Sequence, residues 1–314
     1  MAGAGERISE TGAPALFKTL QTNIANIKNF VENLEKLGRA TETTQTVFRR
    51  LTQLNELCTI ANPEEVKLIV AKGTWGQNTK RHFIGTYNQF LKFLRVQWEK
   101  PTYHKQRKIP FIPTEAEIDT LIAASSKTIA TLLQLLKETG ARIGEAVQIE
   151  WTDVDFTRHQ VAINHPEKGS LPRTLPISDR LIDMLNRLPR KRKTLFSTNK
   201  NSLRTRYDAI RKRTATKLNQ PRLLRITFHT NRFWKATMDY HKIKDIKHVQ
   251  QELGHTQSSS TDVYIQIEAS LFLQDTDEWT AKIAKTPEEA IKLVESGFIF
   301  VNNMGEFAIF KKRK

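Results

Sequence analysis

The sequence predicts a mainly α-helical protein with one small antiparallel sheet, arranged as two domains. Apolar residues recur at three- and four-residue spacing through the first hundred positions, the period of helices with one buried face. The stretch "EKPTYHKQRKIPFIPTEAEI" then breaks that period with three prolines and several charges. Beyond it, "VQIEWTDVDFTRHQVAINHP" and "RTLPIS" alternate apolar and polar residues, as short strands do. A chain of 314 residues is also longer than one compact core usually requires.

Residues 1–14 are small and polar and read as a flexible leader. From Ala15, "LFKTLQTNIANIKNFVENLEKLG" spaces Leu and Ile as a helix that Gly38 can close. Three further helical patterns follow, near Glu42 to Cys58, Pro63 to Lys72 and Gln77 to Gln97. Residues 15–100 therefore form a helical module and 101–113 a linker. "TEAEIDTLIAAS" opens the next helix with a Thr114/Glu117 capping box, and the domain that it begins runs over 114–284. The tail, 285–314, predicts a helix with Thr286 and Glu289 at its start, a hairpin turning at Asn303 to Gly305, and a basic end.

Fifty Lys and Arg against 33 Asp and Glu give a net charge of +17, which suits a polyanionic partner, nucleic acid first and an anionic membrane surface second. No run of about 18 apolar residues is present and the N-terminus lacks an export pattern, so a cytoplasmic protein is expected. Cys58 is the single cysteine, which rules out an internal disulfide framework and a Cys-rich zinc site. Between Arg187 and Arg225, 14 basic residues face one acid, Asp208. Leu203, Tyr207 and Ile210 lie in the same run at helical spacing, so the charge belongs to a folded surface rather than a loose tail. Arg190, Lys191, Arg192, Arg204, Arg206, Arg211, Lys212 and Arg213 are the candidate phosphate contacts, and binding through them should be strongly salt dependent.

Four fragments carry the residues that could do chemistry. In "TGARIGEA", Arg142 and Glu145 share a helical face, which alone indicates only a surface ion pair. In "HPEKGSLPRTLPIS", Lys168 and Gly169 fall on a hairpin tip, where lysines are usually idle. In "ITFHTNRFW", His229 and Arg232 stand one turn apart in an apolar frame, and a buried Arg beside a His is costly unless an anion meets them. In "LGHTQSSSTDVYIQI", His255 precedes a lone Tyr264 that could equally be a half-buried helix aromatic.

Together and in this order, the four fragments resemble the tyrosine recombinase family, site-specific DNA recombinases of the phage-integrase type. Thr139, Gly140, Arg142 and Glu145 match its first box. Lys168, Gly169, Arg173, Pro176 and Ser178 match its hairpin; His229 and Arg232 match its His-x-x-Arg box; and Leu253, Gly254, His255, Thr261 and Tyr264 match the last segment. The resemblance covers roughly residues 110 to 268; the helical module fits the family's core-binding domain by position and class. After Arg232 the chain departs from the family's common continuation with "FWKAT", at no catalytic position.

The resemblance implies a two-domain DNA clamp around a duplex and attack by the Tyr264 phenol on a phosphodiester, giving a 3′-phosphotyrosine and a free 5′-hydroxyl. That intermediate conserves the bond for rejoining, so no ATP, metal or other cofactor is expected. By resemblance Arg142 and Arg232 stabilise the phosphate charge with His255 as a further donor, His229 is the base, Lys168 is the acid, and Glu145 supports Arg142. The implied partners are double-stranded DNA and other copies of the chain, in a tetramer on two DNA sites. Three alternatives differ in class: a type IB topoisomerase-like relaxase acting as a monomer, a basic DNA-binding module without catalysis, and a two-metal transposase using Asp153 and Asp155. The last lacks a third carboxylate in matching context.

Overall fold

A computed structural model of the chain describes residues 24–106, 109–257, 261–272, 279–305 and 307–313. It divides into two compact units, Met1–Lys108 and Ile109–Lys314. The expected leader and the start of the first predicted helix lie outside the described residues, as does the serine run 258–260.

The first unit has four helices: α1 (Ile24–Lys36), α2 (Thr41–Leu57), α3 (Pro63–Lys72) and α4 (Gln77–Phe93). Ile27, Phe30 and Leu34 form the buried stripe of α1 and pack with Leu51 and Leu54 of α2 and Tyr87 and Phe90 of α4. α3 starts on Pro63 because proline needs no partner for a missing N–H at a first helical position, and Asn62 caps it by accepting from the Glu64 amide. α4 ends four residues before the predicted Gln97. Arg95 takes a left-handed φ of 59°, and the amides of Arg95 and Val96 turn back onto Lys92 and Leu91. Trp98, instead of extending the helix, folds onto the module's core edge-on to Tyr87, with its indole N–H donating to Asn88 Oδ1 at 3.1 Å.

The second unit is organised around two helices. α5 (Glu115–Ala123) begins with the predicted Thr114/Glu117 capping box, and α6 (Lys127–Thr139) follows it. α6 is surrounded: Leu132, Leu135 and Leu136 are buried, and so are its polar Thr131, Gln134, Lys137 and Thr139. Burying Lys137 is tolerable because Glu115 and Asp119 each meet its ammonium at 2.8 Å. After the one-turn α7 (Ile143–Ala146) come β1 (Val154–Asp155), β2 (Gln160–Ile163) and β3 (Arg173–Pro176), an antiparallel sheet in that order. Val161 pairs with Leu175 and Ile163 with Arg173, so alternate side chains face the core. α8 (Asp179–Asn186), α9 (Lys200–Lys217), α10 (Phe228–Ile243), α11 (Ile246–Leu253) and α12 (Val263–Phe272) complete this part. α10 is the spine, packed on α6 and on α12. As the periodicity predicts, Leu203, Tyr207 and Ile210 of α9 are buried.

The last segment forms its own small layer. β4 (Trp279–Ala284), α13 (Pro287–Glu295), β5 (Ile299–Met304) and β6 (Phe307–Arg313) make a three-stranded sheet in the order β4-β6-β5 with a small core of Ala284, Phe298 and Phe310. Two expectations shift here. Strand β4, assigned from sequence to the preceding domain, belongs to this layer, and the hairpin turns at Gly305 because Asn302 and Asn303 pair with Ile309 and Ala308 as strand residues.

Leu132→Ala, in the enclosed α6, should destabilise the second unit by about 2–5 kcal/mol, whereas Leu218→Ala at an exposed site should change it by less than about 0.5 kcal/mol. Denaturant unfolding of the two variants checks this.

Candidate active site

Gly140 takes a left-handed φ of 59° at the end of α6 and turns the chain so that Arg142 stands at the N-terminus of α7. From α10, Arg232 reaches the same place with only 1% of its surface exposed. Its Nη1 donates to Gly140 O, and its Nη2 to Leu253 O and to His255 Nε2, each at 2.8 Å. A guanidinium has no lone pair to offer, so His255 Nε2 must be the acceptor and the ring proton sits on Nδ1, 3.0 Å from Thr261 Oγ1. Burial, then the charges of Arg232, Arg142 and Arg173, hold His255 down to about 4, which keeps this neutral tautomer at physiological pH. In the free chain His255 Nε2 thus accepts from Arg232 and helps to orient it.

Arg142 is oriented by a second network. Glu145, 1% exposed, accepts from Arg142 Nη1 at 2.9 Å and from Arg173 Nη2 at 2.7 Å, and also from the amides of Arg142 and Glu167. Burial alone would raise the Glu145 carboxyl; its bonds to Arg173, reinforced by Arg142 and Arg232, hold it below the usual range. Arg142 Nη1 also donates to Ser170 Oγ at 2.5 Å, while Nε and Nη2 have no protein partner among the described residues. Those two nitrogens remain available for an anion.

The same network carries the β2–β3 hairpin into the site. Lys168 and Gly169 both adopt left-handed φ at its tip, where Lys168 is exposed and has no hydrogen bond or ion pair among the described residues. Gly254 locks the hairpin to the Leu-Gly-His segment: its φ is 66°, its carbonyl accepts from the Leu171 amide at 3.0 Å, and a Cβ there would lie 2.9 Å from Leu171 O. No larger residue fits. Arg173, Thr261 and Ser170 join the site as partners of Glu145, His255 and Arg142, roles that the motif spacing does not reveal. The signal for Arg173 was a long cation at an inward-facing position of a short strand.

His229 and Tyr264 complete the cluster. His229 packs edge-on to Phe233, and burial together with Arg232, Arg142 and Lys168 lowers its pKa to about 4. Tyr264, 2% exposed on α12, has its ring centroid 6.4 Å from that of Phe233. Burial raises the phenol's pKa, while the charges of Arg232 and Arg142 pull the other way. All six residues expected from sequence to act together, Arg142, Lys168, His229, Arg232, His255 and Tyr264, thus share one electrostatic environment within the chain's own fold.

Of the basic surface, Lys191, Arg192, Arg204, Arg206, Lys212 and Arg213 are exposed. Arg190 lies over the rings of Trp151 and Phe156, 4.8 and 5.1 Å from their centroids. Arg211 departs from expectation: its guanidinium bonds Asp208 and Leu224 O, fastening α9 to the following turn, and it is no free phosphate contact. Asp153 and Asp155 are engaged in holding local turns, accepting from the amides of Glu150 and of Thr157 and Arg158.

A histidine with a folded pKa near 4 and an ordinary value of 6.5 contributes stability above pH 6.5 that is lost as pH falls toward 4, because the unfolded chain binds the proton first. The wild-type unfolding midpoint should therefore drop more between pH 6.5 and 4 than that of a His229→Gln/His255→Gln variant. Parallel pH profiles for the two proteins would contradict these assignments.

The profile of the phage integrase family matches residues 113–270, the span that contains all of these side chains. A tyrosine recombinase of Thermosipho africanus (strain TCF52B) is 26% identical over 212 residues, 61% of this chain and 72% of that protein. Tyrosine recombinase XerC of Chlamydia pneumoniae is 24% identical over 300 residues, covering 87% and 95%. In fold, the chain is similar to the crystal structure of a lambda integrase dimer bound to a COC′ core site, with a TM-score of 0.59 at 13% identity over 82% of this chain and 81% of that one. With its motifs gathered in one site and half its length matched by the family profile, the chain belongs to the phage integrase family, the tyrosine recombinases, which cut and rejoin DNA.

Proposed function

We propose that this chain is a site-specific DNA recombinase whose nucleophile is Tyr264. The observation that carries the assignment is a buried phenol within the field of two guanidiniums, one of which, Arg142, keeps nitrogens free. The Tyr264 oxygen forms a bond to phosphorus as the bond from phosphorus to O5′ breaks. The phenol proton passes to His229, and O5′ takes a proton from Lys168. Arg142 and Arg232 carry the charge that builds on the non-bridging oxygens. Held neutral, His229 is in the form that can accept a proton, and the phosphodiester's negative charge opposes the cations that depress its basicity.

Double-stranded DNA is the partner, met through Arg190, Lys191, Arg192, Arg204, Arg206, Lys212 and Arg213 on phosphates, with Arg211 withdrawn from that set. The domain plan follows the resemblance with one boundary moved: a core-binding module over 15–100, a linker over 101–113, a catalytic domain that begins at 114, and a C-terminal layer that takes in β4 from Trp279. Strand exchange requires a tetramer on two sites, formed in the cytoplasm. No helix among the described residues is long and apolar enough to cross a membrane.

A nicked suicide duplex incubated with the protein in EDTA should yield a covalent band on a denaturing gel. Tyr264→Phe should abolish it, and Arg232→Ala should slow it by about 10²–10³. A band that persists in Tyr264→Phe refutes the nucleophile, and no band with wild type leaves a binding module. Relaxation of supercoils lacking any target sequence would instead indicate a relaxase.

A further inference from the structure

The tyrosine must be held as firmly as the arginines, yet its phenol makes no hydrogen bond among the described residues, so its placement falls to the helix that bears it. α12 runs alongside α10 in the same direction: Tyr264 lies by Phe233, and one turn later Glu268 and then Phe272 lie by His241. Glu268 is four residues after Tyr264, on the same helical face, and is 7% exposed. Its Oε1 accepts from His241 Nδ1 at 2.6 Å and from Lys244 Nζ at 2.5 Å. The His241 ring also stacks on Phe272, with centroids 3.7 Å apart and planes at 20°. Lys244 comes within reach because it ends α10 in a left-handed conformation, φ 58°. Among the described residues these are the only salt bridges from α12 to the rest of the chain.

We propose that Glu268 is a positioning residue: a carboxylate that anchors the nucleophile helix to the far end of the helix carrying His229 and Arg232, so that one rigid element spaces attacking group and phosphate cup. Apolar packing of Ile267 and Tyr264 against Ala236 resists separation but not sliding or rotation. Two donors converging on one carboxylate oxygen a turn beyond the tyrosine oppose both. Of its two donors His241 is half-buried and Lys244 exposed, 40% and 56% for the side chains, so loss of the Lys244 contact bears on the placement of Tyr264 more than on folding.

The inference rests on Tyr264 as nucleophile. Glu268→Gln and Lys244→Met should each slow single-turnover adduct formation by about 10- to 100-fold while leaving the affinity for an intact duplex and the unfolding midpoint close to wild type. The double variant should be no slower than the slower single one, since both remove the same contact. A duplex with sulfur in place of the bridging O5′ has a leaving group that needs no acid; it should restore Lys168→Ala but not Glu268→Gln. Adduct formation at the wild-type rate in Glu268→Gln, additive losses, rescue by the bridging sulfur, or rate losses that follow lost stability would each overturn the proposal. Should Glu268→Gln fail to fold, Lys244→Met carries the same comparison at an exposed site. An adduct that survives Tyr264→Phe would sink the nucleophile itself, a result distinct from all of these.

Discussion

Arg232 is the interaction on which the site depends. Its guanidinium, buried to 1% exposure, joins three segments distant in sequence: the turn at Gly140, the end of α11 at Leu253, and His255. None of these partners carries a negative charge. Burial followed by the nearby charge of Arg142 lowers Arg232 to about 10, so it remains a cation whose hydrogen bonds all go to neutral groups, with Glu145 acting on it only at a distance. Glu145, the nearest buried carboxylate, is bonded to Arg142 and Arg173. Such an arrangement costs folding energy in the free chain, and a phosphodiester is an anion that would offset it on binding.

The electrostatics also set the resting state of Tyr264, the nucleophile proposed above. Burial raises the Tyr264 phenol while the two guanidiniums oppose that rise, so without DNA the phenol stays protonated at neutral pH. Neutral His229, held near 4, cannot yet take its proton with ease. An arriving phosphate partly cancels the cationic field, raising the basicity of His229 where the phenol must lose its proton. On the proposed reading, chemistry is thereby coupled to occupancy by the substrate anion.

Much of this was legible in the sequence, for identifiable reasons. Helix α3 could be bounded to the residue because Asn62, Pro63 and Lys72 are strong local signals, and the Thr114/Glu117 box marked α5 equally well. Gly140 and Gly254 were legible as members of the matched segments, and the structure gives the reason: both are left-handed and pressed against other chain segments. Where local signals conflicted with tertiary packing, packing won: Val96 and Trp98 continue the apolar period of α4, but they fold back onto their own core. The six-residue β4 pairs with β6, distant in sequence, so no neighbouring hairpin turn marks it as a strand. Chemical direction was the least legible feature. That His255 accepts from Arg232, that Arg173 completes the Glu145 network, and that Arg211 is engaged internally all depend on contacts across more than ten residues or on a tautomer, which no spacing rule encodes.

The claim that the two guanidiniums exist to meet phosphate charge can be tested on the substrate rather than the protein. A methylphosphonate at the scissile position replaces one non-bridging oxygen with an uncharged methyl group. If Arg232 acts by neutralising that oxygen's charge, the cleavage defect of Arg232→Ala measured on phosphodiester DNA should shrink markedly on methylphosphonate DNA. An undiminished defect would mean that Arg232 serves the fold alone, and the electrostatic basis of the site would fail.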